Sequence, residues 1–185
     1  MKNESELIKA LQDDTQKEYA FKLLLDTYQV RLYWHIRKLV LIHEDADDVL
    51  QNTFLKIYKG ITNFKGNSSI HTWMYRIAYN ESIDFLAKKK KQLRLNSEKI
   101  NTKILETLEQ DIYFEGDAIQ LQLEAALLTL PEKQRSVFCM RYYDDLKFKE
   151  IAEILDTSEG ALKASYHHAA KKVAQFLTTN PLLMV

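Results

Sequence analysis

The stretch KFKEIAEILDTSEGALKASYHHAAKKVAQFL, residues 147–177, has the pattern of two helices separated by a tight turn. Apolar side chains lie on one face of each helix: Ile151, Ala152 and Leu155 in the first, and Leu162, Tyr166, Ala169, Val173, Phe176 and Leu177 in the second. Ser158 stands where it can cap the second helix. The spacing predicts a helix-turn-helix, with an ordinary helical hairpin as the alternative.

The outer face of the second helix is cationic. Lys163, His167 and Lys171 recur every four residues, and Ala164 and Ser165 lie near the helix N-terminus. Such a helix fits the major groove of DNA, where its first turns reach base edges and its lysines meet phosphates. A solvated lysine face without a DNA partner remains the alternative.

Composition extends the helical prediction to the whole chain. The 185 residues include only four Gly and two Pro, fewer turn residues than a β-rich domain needs. Periodicity predicts helices over 4–12, 16–42, 44–60, 70–79, 81–94, 118–129, 132–143, 147–155 and 159–177. We therefore expect an all-α protein of two small helical domains, residues 1–95 and 118–185. The acidic segment 96–117, which lacks clear periodicity, is the expected linker.

Cysteine usage and hydropathy favour a protein of a reducing compartment. Cys139 is the single cysteine, and its apolar surroundings predict a buried, inert thiol. The N-terminal segment is too polar for a signal peptide, and the apolar run 39–42 is far shorter than a membrane span. We expect a soluble, cytoplasmic protein.

Charge is segregated along the chain although its net value is zero. Residues 49–95 carry 9 basic and 2 acidic side chains, a net charge of +7, whereas residues 96–118 carry 2 basic and 6 acidic ones, a net charge of −4. The basic segment predicts a patch that faces a polyanion, with a solvated lysine-rich helix end as the alternative. The acidic linker beside it suggests masking of that patch in the free chain.

Helix 44–60 carries a polar stripe opposite its apolar one. Its residues, at three- and four-residue steps, are Asp48, Gln51, Asn52 and Leu55. Leu55 is thus an apolar side chain on a polar surface, which is typical of an anchor for a protein partner. A lone exposed leucine without function is the alternative.

Helix 70–79 has an outward stripe of aromatic and cationic residues. The stripe comprises Thr72, Tyr75, Arg76 and Tyr79, it ends at Asn80, and the cations Lys88, Lys89, Lys90, Lys91 and Arg94 follow. Rings that stack on exposed bases and cations that neutralise the backbone are what a single-strand binder needs. Packing of Tyr75 and Tyr79 on a neighbouring helix is the alternative.

The sequence lacks the motifs of an enzyme. The five histidines show no metal-ligand spacing, and no glycine-rich phosphate loop or nucleophile elbow is present. We therefore expect no catalytic activity, no cofactor and no metal.

Three segments of the chain resemble bacterial RNA polymerase sigma factors of the extracytoplasmic-function (ECF) type. DADDVLQNTFLKIYKG and NFKGNSSIHTWMYRIAYNESIDFLAKKKK are similar to sigma region two, and LPEKQRSVFCMRYYDDLKFKEIAEILDTSEGALKASYHHA is similar to region four. The resemblance implies a specificity subunit that binds core polymerase and promoter DNA. It also implies an anti-sigma partner. A free-standing helix-turn-helix regulator and a helical adaptor without DNA binding remain alternatives.

The resemblance also implies roles for individual residues. The stripe of Asp48, Gln51, Asn52 and Leu55 falls where the family docks on the polymerase. The resemblance assigns binding of the minus-ten promoter element to Trp73, Tyr75, Arg76, Asn80 and Glu81. It also implies a loop at 80–81 that holds an extruded base. It assigns binding of the minus-thirty-five promoter element to Lys163, Ala164, Ser165, His167 and His168.

The recognition helix departs from the family pattern. Ser165, His168 and Ala170 stand where arginines are common. Arginine reads guanine with two hydrogen bonds, so we expect weaker direct readout and relatively larger phosphate or shape contacts.

Overall fold

The computed structural model describes residues 4–93 and 118–180, and every regular element in these two stretches is helical. The predicted all-α class is confirmed, whereas the expected linker 96–117 and Arg94 lie outside the described residues. The elements are α1 (Glu4–Gln12), α2 (Lys17–Val40), α3 (His43–Gly60), a 3-10 turn (Ile61–Asn63), α4 (Ile70–Leu93), α5 (Ala118–Leu128), α6 (Glu132–Tyr142), α7 (Phe148–Leu155) and α8 (Glu159–Thr179).

Helices α1 to α4 pack around a core built from the apolar stripe of each helix. Leu24 and Ile36 of α2, Ile57 of α3 and Met74 of α4 are completely buried. Burial of one such side chain stabilises the fold by about 1.5–3 kcal/mol relative to its exposure. This core fixes the rotation of α3, so the polar face of α3 points to solvent.

Residues 70–93 form one continuous helix, whereas the sequence pattern predicts two helices that meet at residue 80. Neither Gly nor Pro interrupts this stretch, so nothing in the backbone chemistry ends the helix at Asn80 or Glu81. Ser82 is accommodated because its hydroxyl donates to the Ala78 carbonyl at 2.8 Å. The loop that we expected at 80–81 is therefore absent, and both residues are helical.

Helices α5 to α8 form a second, smaller group with its own apolar cluster. The buried members of this cluster are Ala126, Leu127, Leu130, Phe138, Cys139, Ala169 and Val173. The predicted helix-turn-helix consists of α7 and α8. Asp156 ends α7 in the left-handed conformation at φ 49°, and Ser158 caps α8 by accepting the N–H of Ala161 at 3.3 Å.

The two groups of helices pack against each other. Helix α4 lies against α7, and α2 lies against α6. The core of the first group continues into the second through Met140, Leu146, Ile151 and Ile154, all of which are buried. We call the contact of α2 and α4 with residues 124–155 the interdomain seam. It covers a part of α4 that a separate first domain would expose.

Candidate nucleic-acid and partner interfaces

The outer face of α3 forms an exposed ridge with an apolar side chain at one end. Its residues, which we call the α3 ridge, are Asp48, Gln51, Asn52 and Leu55. All four are exposed, and Leu55 keeps 56% of its surface accessible. The opposite face of α3 is buried through Val49 and Thr53. The ridge is therefore backed by a packed helix face and presents a surface of the kind that a protein partner can bury.

The predicted outward orientation of Tyr75 is wrong. Tyr75 is only 3% exposed, and its ring lies 4.7 Å from the ring of His35 and 4.4 Å from that of His71. Burial raises the pKa of this phenol above its ordinary value and lowers that of the His71 imidazole, because desolvation disfavours the charged form of each. Thr72, also expected outside, is buried as well. Neither residue can stack on a base here.

Arg76 and Tyr79 of the predicted stripe lie at the interdomain seam. The Arg76 guanidinium donates to the backbone carbonyl of Glu153 in α7. Tyr79 is half-buried against the apolar core, where desolvation raises the pKa of its phenol, and it lies beside Ser136 of α6. Arg76 and Tyr79 were expected to face solvent. They contact protein instead, because α4 packs against α2 and α3 on one side and against the second group of helices on another.

Trp73, Asn80 and Glu81 occupy three different environments on α4. Trp73 is half-buried, with its ring 5.0 Å from that of Phe64. Asn80 is exposed, and the Glu81 carboxylate accepts a charged hydrogen bond from Lys56 of α3. The structure therefore does not gather these three residues into one pocket.

A loop over residues 64–69, before α4, is the irregular segment of this region that our sequence reasoning left without a function. Its Gly66 adopts a left-handed φ of 71°, and residues 65–67 are exposed. Helix α1 anchors both of its ends. The Gln12 side chain donates to the Phe64 carbonyl at 2.9 Å, and the Glu4 carboxylate accepts the N–H of Ile70 at 2.8 Å. The loop is thus an exposed segment on a fixed frame.

The lysine run at the end of α4 is mostly open to solvent. Lys88, Lys90 and Lys91 are exposed. Lys89 is partly covered because its ammonium pairs with the Asp45 carboxylate at the start of α3. Three cations of the run therefore face solvent, while the fourth fastens the end of α4 to α3.

The outer face of α8 is open, as the sequence pattern predicts. Lys163, Ala164, His167, His168 and Lys171 are exposed, and Ser165 is partly exposed. The inner face is buried through Leu162, Ala169 and Val173. Lys163 lies 3.6 Å from Glu159, an exposed pair four residues apart that contributes little to stability. The helix can therefore present its cations to a groove without unfolding anything.

Several polar contacts between described residues cross the interdomain seam. His35 Nδ1 lies 2.6 Å from a carboxylate oxygen of Asp144, and Lys38 pairs with Glu124 at 3.2 Å. Another is the bond from Arg76 to the backbone of Glu153. Residues 35 and 144 are 109 positions apart, and no local pattern in the sequence marks either of them. Sequence reasoning therefore missed these contacts.

The remaining candidates for chemistry are the single cysteine and the metal-ligating side chains. Cys139 is buried, and desolvation raises the pKa of its thiol to about 12, so the thiol is protonated at neutral pH. Within residues 4–93 and 118–180, no three His, Cys, Asp or Glu side chains gather as metal ligands would. Among the helices of the same residues, none is long and apolar enough to cross a membrane.

Comparison with known proteins identifies both groups of helices. A family model for sigma-70 region 2 matches residues 24–92, and one for sigma-70 region 4 matches residues 120–173. The ECF RNA polymerase sigma factor SigW of Bacillus subtilis is 32% identical over 167 residues, which are 85% of this chain and 89% of that protein. The ECF RNA polymerase sigma-E factor of Haemophilus influenzae is 27% identical over 177 residues, 90% of this chain and 91% of that one.

Solved structures share the fold. CnrH in complex with the cytosolic domain of CnrY has a TM-score of 0.70 at 20% identity and covers 96% of this chain and 98% of its own. The sigma factor RpoE in complex with the anti-sigma factor NepR from Bartonella quintana has a TM-score of 0.67 at 18% identity, with coverages of 86% and 98%. The likeness to SigW and the two regional matches show that this chain belongs to the ECF family of RNA polymerase sigma factors, which act in transcription initiation, and not to free-standing regulators or helical adaptors.

Proposed function

We propose that this sigma factor uses three separate surfaces: the α3 ridge for core polymerase, the exposed part of α4 for the opened strand, and the outer face of α8 for duplex DNA. The observation that carries the proposal is that the α3 ridge and the outer face of α8 are both open on one chain, while the opposite face of each helix is buried. Residues 1–95 would form the domain of the first two surfaces, and residues 118–185 the domain of the third.

The α3 ridge suits a protein partner better than DNA. It holds an acidic side chain, two amides and one exposed leucine, whereas a phosphate backbone attracts cations. Leu55 can fill an apolar pocket of the polymerase while Asp48, Gln51 and Asn52 supply polar contacts around it.

The exposed part of α4 and the loop before it suit single-stranded DNA. Lys88, Lys90 and Lys91 neutralise phosphates, and Trp73 and Asn80 lie on the same helix. We assign capture of an extruded base to the loop 64–69 rather than to residues 80–81. An extruded base needs hydrogen-bonding groups that are not already used, and helical backbone groups are largely used in the helix itself.

Helix α8 suits the major groove but lacks the strongest base readers. Lys163, Lys171 and the N-terminal turn of α8 can reach phosphates. Ser165, His167 and His168 then face base edges without an arginine among them, so shape and phosphate contacts supply most of the affinity. We expect a promoter element that this helix reads loosely.

The chain would act without catalytic chemistry of its own. In a bipartite mechanism each domain binds its promoter element weakly, and attachment to one polymerase raises the effective concentration of the second element for the second domain. We place the protein in the bacterial cytoplasm, where polymerase and promoter DNA are found.

We also propose an anti-sigma partner. The solved RpoE relative is bound to an anti-sigma factor, and CnrH is bound to the cytosolic domain of CnrY. This chain shares the fold of both, and its α3 ridge offers a surface that such a partner could cover in competition with the polymerase.

The experiment is transcription in vitro with purified core polymerase and a library of promoter fragments, followed by sequencing of the RNA 5′ ends. Starts at defined positions that require both the core and this chain are the expected result. A chain that footprints duplex DNA tightly alone and never stimulates the core would contradict the proposal. So would a chain that binds neither the core nor DNA.

A further inference from the structure

Helix α1 carries none of the three surfaces assigned above, yet its side chains hold both ends of the loop 64–69. The Glu4 carboxylate accepts the N–H of Ile70, the first residue of α4, at 2.8 Å. The Gln12 side chain donates to the backbone carbonyl of Phe64 at 2.9 Å. These two contacts join residues that are 66 and 52 positions apart, so they tie the loop to a distant part of the chain.

We propose that Glu4 and Gln12 are positioning residues for promoter opening: by fixing the two ends of the loop 64–69, they set the place at which an extruded base is held. The proposal rests on the function proposed above, which assigns base capture to that loop. Helix α1 acts through the loop and does not itself contact the DNA. The opened strand then meets a loop whose course is set before DNA binds.

The loop needs anchors outside itself because its middle restricts the backbone little. Residues 65–67 are exposed, and Gly66 adopts a left-handed φ of 71°. Glycine has more conformational freedom to lose on ordering than any other residue. The contacts at the two ends therefore decide which conformation of the loop is populated. A loop that is already ordered has a smaller entropic cost when it binds a base.

The Gln12 end of the loop also sets the position of an aromatic side chain on α4. The ring of Phe64, whose carbonyl accepts from Gln12, lies 5.0 Å from the ring of Trp73. The Trp73 indole also lies close to α3, because a Cβ added at Gly60 would stand 3.2 Å from its Cζ2 atom. An indole with close neighbours at both places has little room to turn. Gln12 therefore acts on Trp73, a residue assigned to the opened strand, through one intervening side chain.

Helix α1 is itself fixed by contacts that do not involve the loop. Leu11 is completely buried and Ala10 is 6% exposed, and both belong to the core of the first group of helices. The Gln12 amide makes a second bond, to the Ile61 carbonyl at 3.2 Å in the 3-10 turn before the loop. The Glu4 carboxylate lies at the N-terminus of α4, where the first N–H groups need acceptors and the helix dipole favours negative charge. Apolar burial thus holds α1 in place, and its two polar side chains hold the loop.

The test removes each anchor of the full chain by a substitution that keeps the length of the side chain. Gln12→Met deletes the NH2 donor, and Glu4→Met deletes the carboxylate acceptor. Gln16→Met is the matched control for the first, because the exposed Gln16 side chain donates within its own turn rather than to the loop. Glu6→Met is the matched control for the second, because Glu6 is an exposed acid in the first turn of α1. Glu4→Gln retains an oxygen acceptor and should behave as the parent chain does.

The readout is the fluorescence of 2-aminopurine, placed in turn at each position of the opened strand of a promoter bubble bound by core polymerase with this chain. The parent chain should brighten one position, where the base leaves the stack. Gln12→Met and Glu4→Met should each dim that position and weaken binding of the bubble about three- to tenfold, the range for loss of one or two hydrogen bonds. Both controls and Glu4→Gln should match the parent chain.

Binding of duplex DNA with the minus-thirty-five element alone separates positioning from general stability. We expect it to stay unchanged in both variants, whereas an equal loss for duplex and bubble would overturn the positioning role. Variants that match the parent chain on the bubble would overturn the anchors, while a brightened position in the parent chain leaves the proposed function standing. No brightened position in the parent chain would overturn base capture and its positioning together. Glu4→Met keeps the test decisive if Gln12→Met does not fold, because Glu4 is exposed.

Discussion

Helices α4 and α8 are similar in length, with 24 and 21 residues, and both carry cations, but they differ in how many sides are packed. Helix α8 contacts its neighbours through one face, with Leu162, Ala169 and Val173 inside, and leaves the opposite face open. Helix α4 contacts α2 and α3 on one side and α7 on another. The polar face of a helix is thus available to a ligand only when no second layer of protein covers it.

The α3 ridge, like the outer face of α8, is not covered by other protein. Substitution of its apolar residue Leu55 should give the largest loss of function among the variants below. Replacement of Leu55 by Asp should lower polymerase-dependent transcription by about 100-fold, the range of a loss of 2–4 kcal/mol at a central contact. Stability should change little because the side chain is 56% exposed. Transcription and co-purification with core polymerase provide the measurement. Tyr19→Asp, at a residue that is 68% exposed on α2, is the matched control, and an equal loss there would contradict the ridge.

Two lysines on α8 allow its open face to be compared with its flank, which contacts α6. Lys163→Ala should reduce the slope of log affinity against log salt for duplex promoter DNA by about 0.9, because one phosphate is no longer neutralised. Lys172→Ala should leave the slope unchanged, because Lys172 reaches Gln134 of α6 at 3.4 Å rather than the outer face. Titrations of the holoenzyme over a salt series measure both slopes. Indistinguishable slopes would remove α8 from the interface.

Two lysines on α4 make the same comparison for single-stranded DNA. Lys90→Ala should reduce the salt slope for a promoter bubble by about 0.7, the value for one phosphate of a single strand. Lys89→Ala should change it less, since that ammonium is paired with Asp45. The measurement is again a salt titration of the holoenzyme. A larger effect at Lys89 than at Lys90 would show that the Asp45 pair opens when DNA binds.

Substitution of Tyr79, on the covered side of α4, should give the smallest effect, which is a change in the pH dependence of stability at alkaline pH. Burial raises the pKa of Tyr79 above its ordinary value of 10.0, so above pH 10 the unfolded chain binds fewer protons than the folded one. Stability therefore falls as pH rises through that window, and Tyr79→Phe should flatten the decline. Urea unfolding at several alkaline pH values measures it. Tyr142→Phe, at a tyrosine 57% exposed, is the control, and equal slopes for parent and Tyr79→Phe would place Tyr79 outside the seam.

Sequence reasoning succeeded where a pattern is local. The periodicity of α3 and α8 predicted which side chains are buried and left the α3 ridge and the cationic face of α8 outside, as the structure has them. The cap by Ser158 was also predictable from sequence, because a helix cap is a contact between residues only three positions apart. Periodicity predicted the end of one helix at residue 79 and the resemblance implied a loop at 80–81, although nothing in the backbone chemistry ends the helix there.

Local pattern could not reveal the neighbours of α4. A polar and aromatic stripe predicts an exposed face only if one side of the helix is packed, and Tyr75 is buried because α2 supplies His35 beside it. The sequence pattern predicts a loop at 61–69 from its Gly and Asn residues, but it could not show how the loop is anchored, because the anchors Gln12 and Glu4 lie more than fifty residues earlier.

The amino-acid order alone determined the helices, their buried stripes, the helix-turn-helix and the resemblance to a sigma factor, because these depend on spacings of a few residues. Only the tertiary structure decided that α6 and α7 lie on α4 and that His35 meets Asp144. Contacts of that kind form between two surfaces that exist only after the helices have folded. The residues that meet are distant in the sequence, so no repeating pattern along the chain marks them.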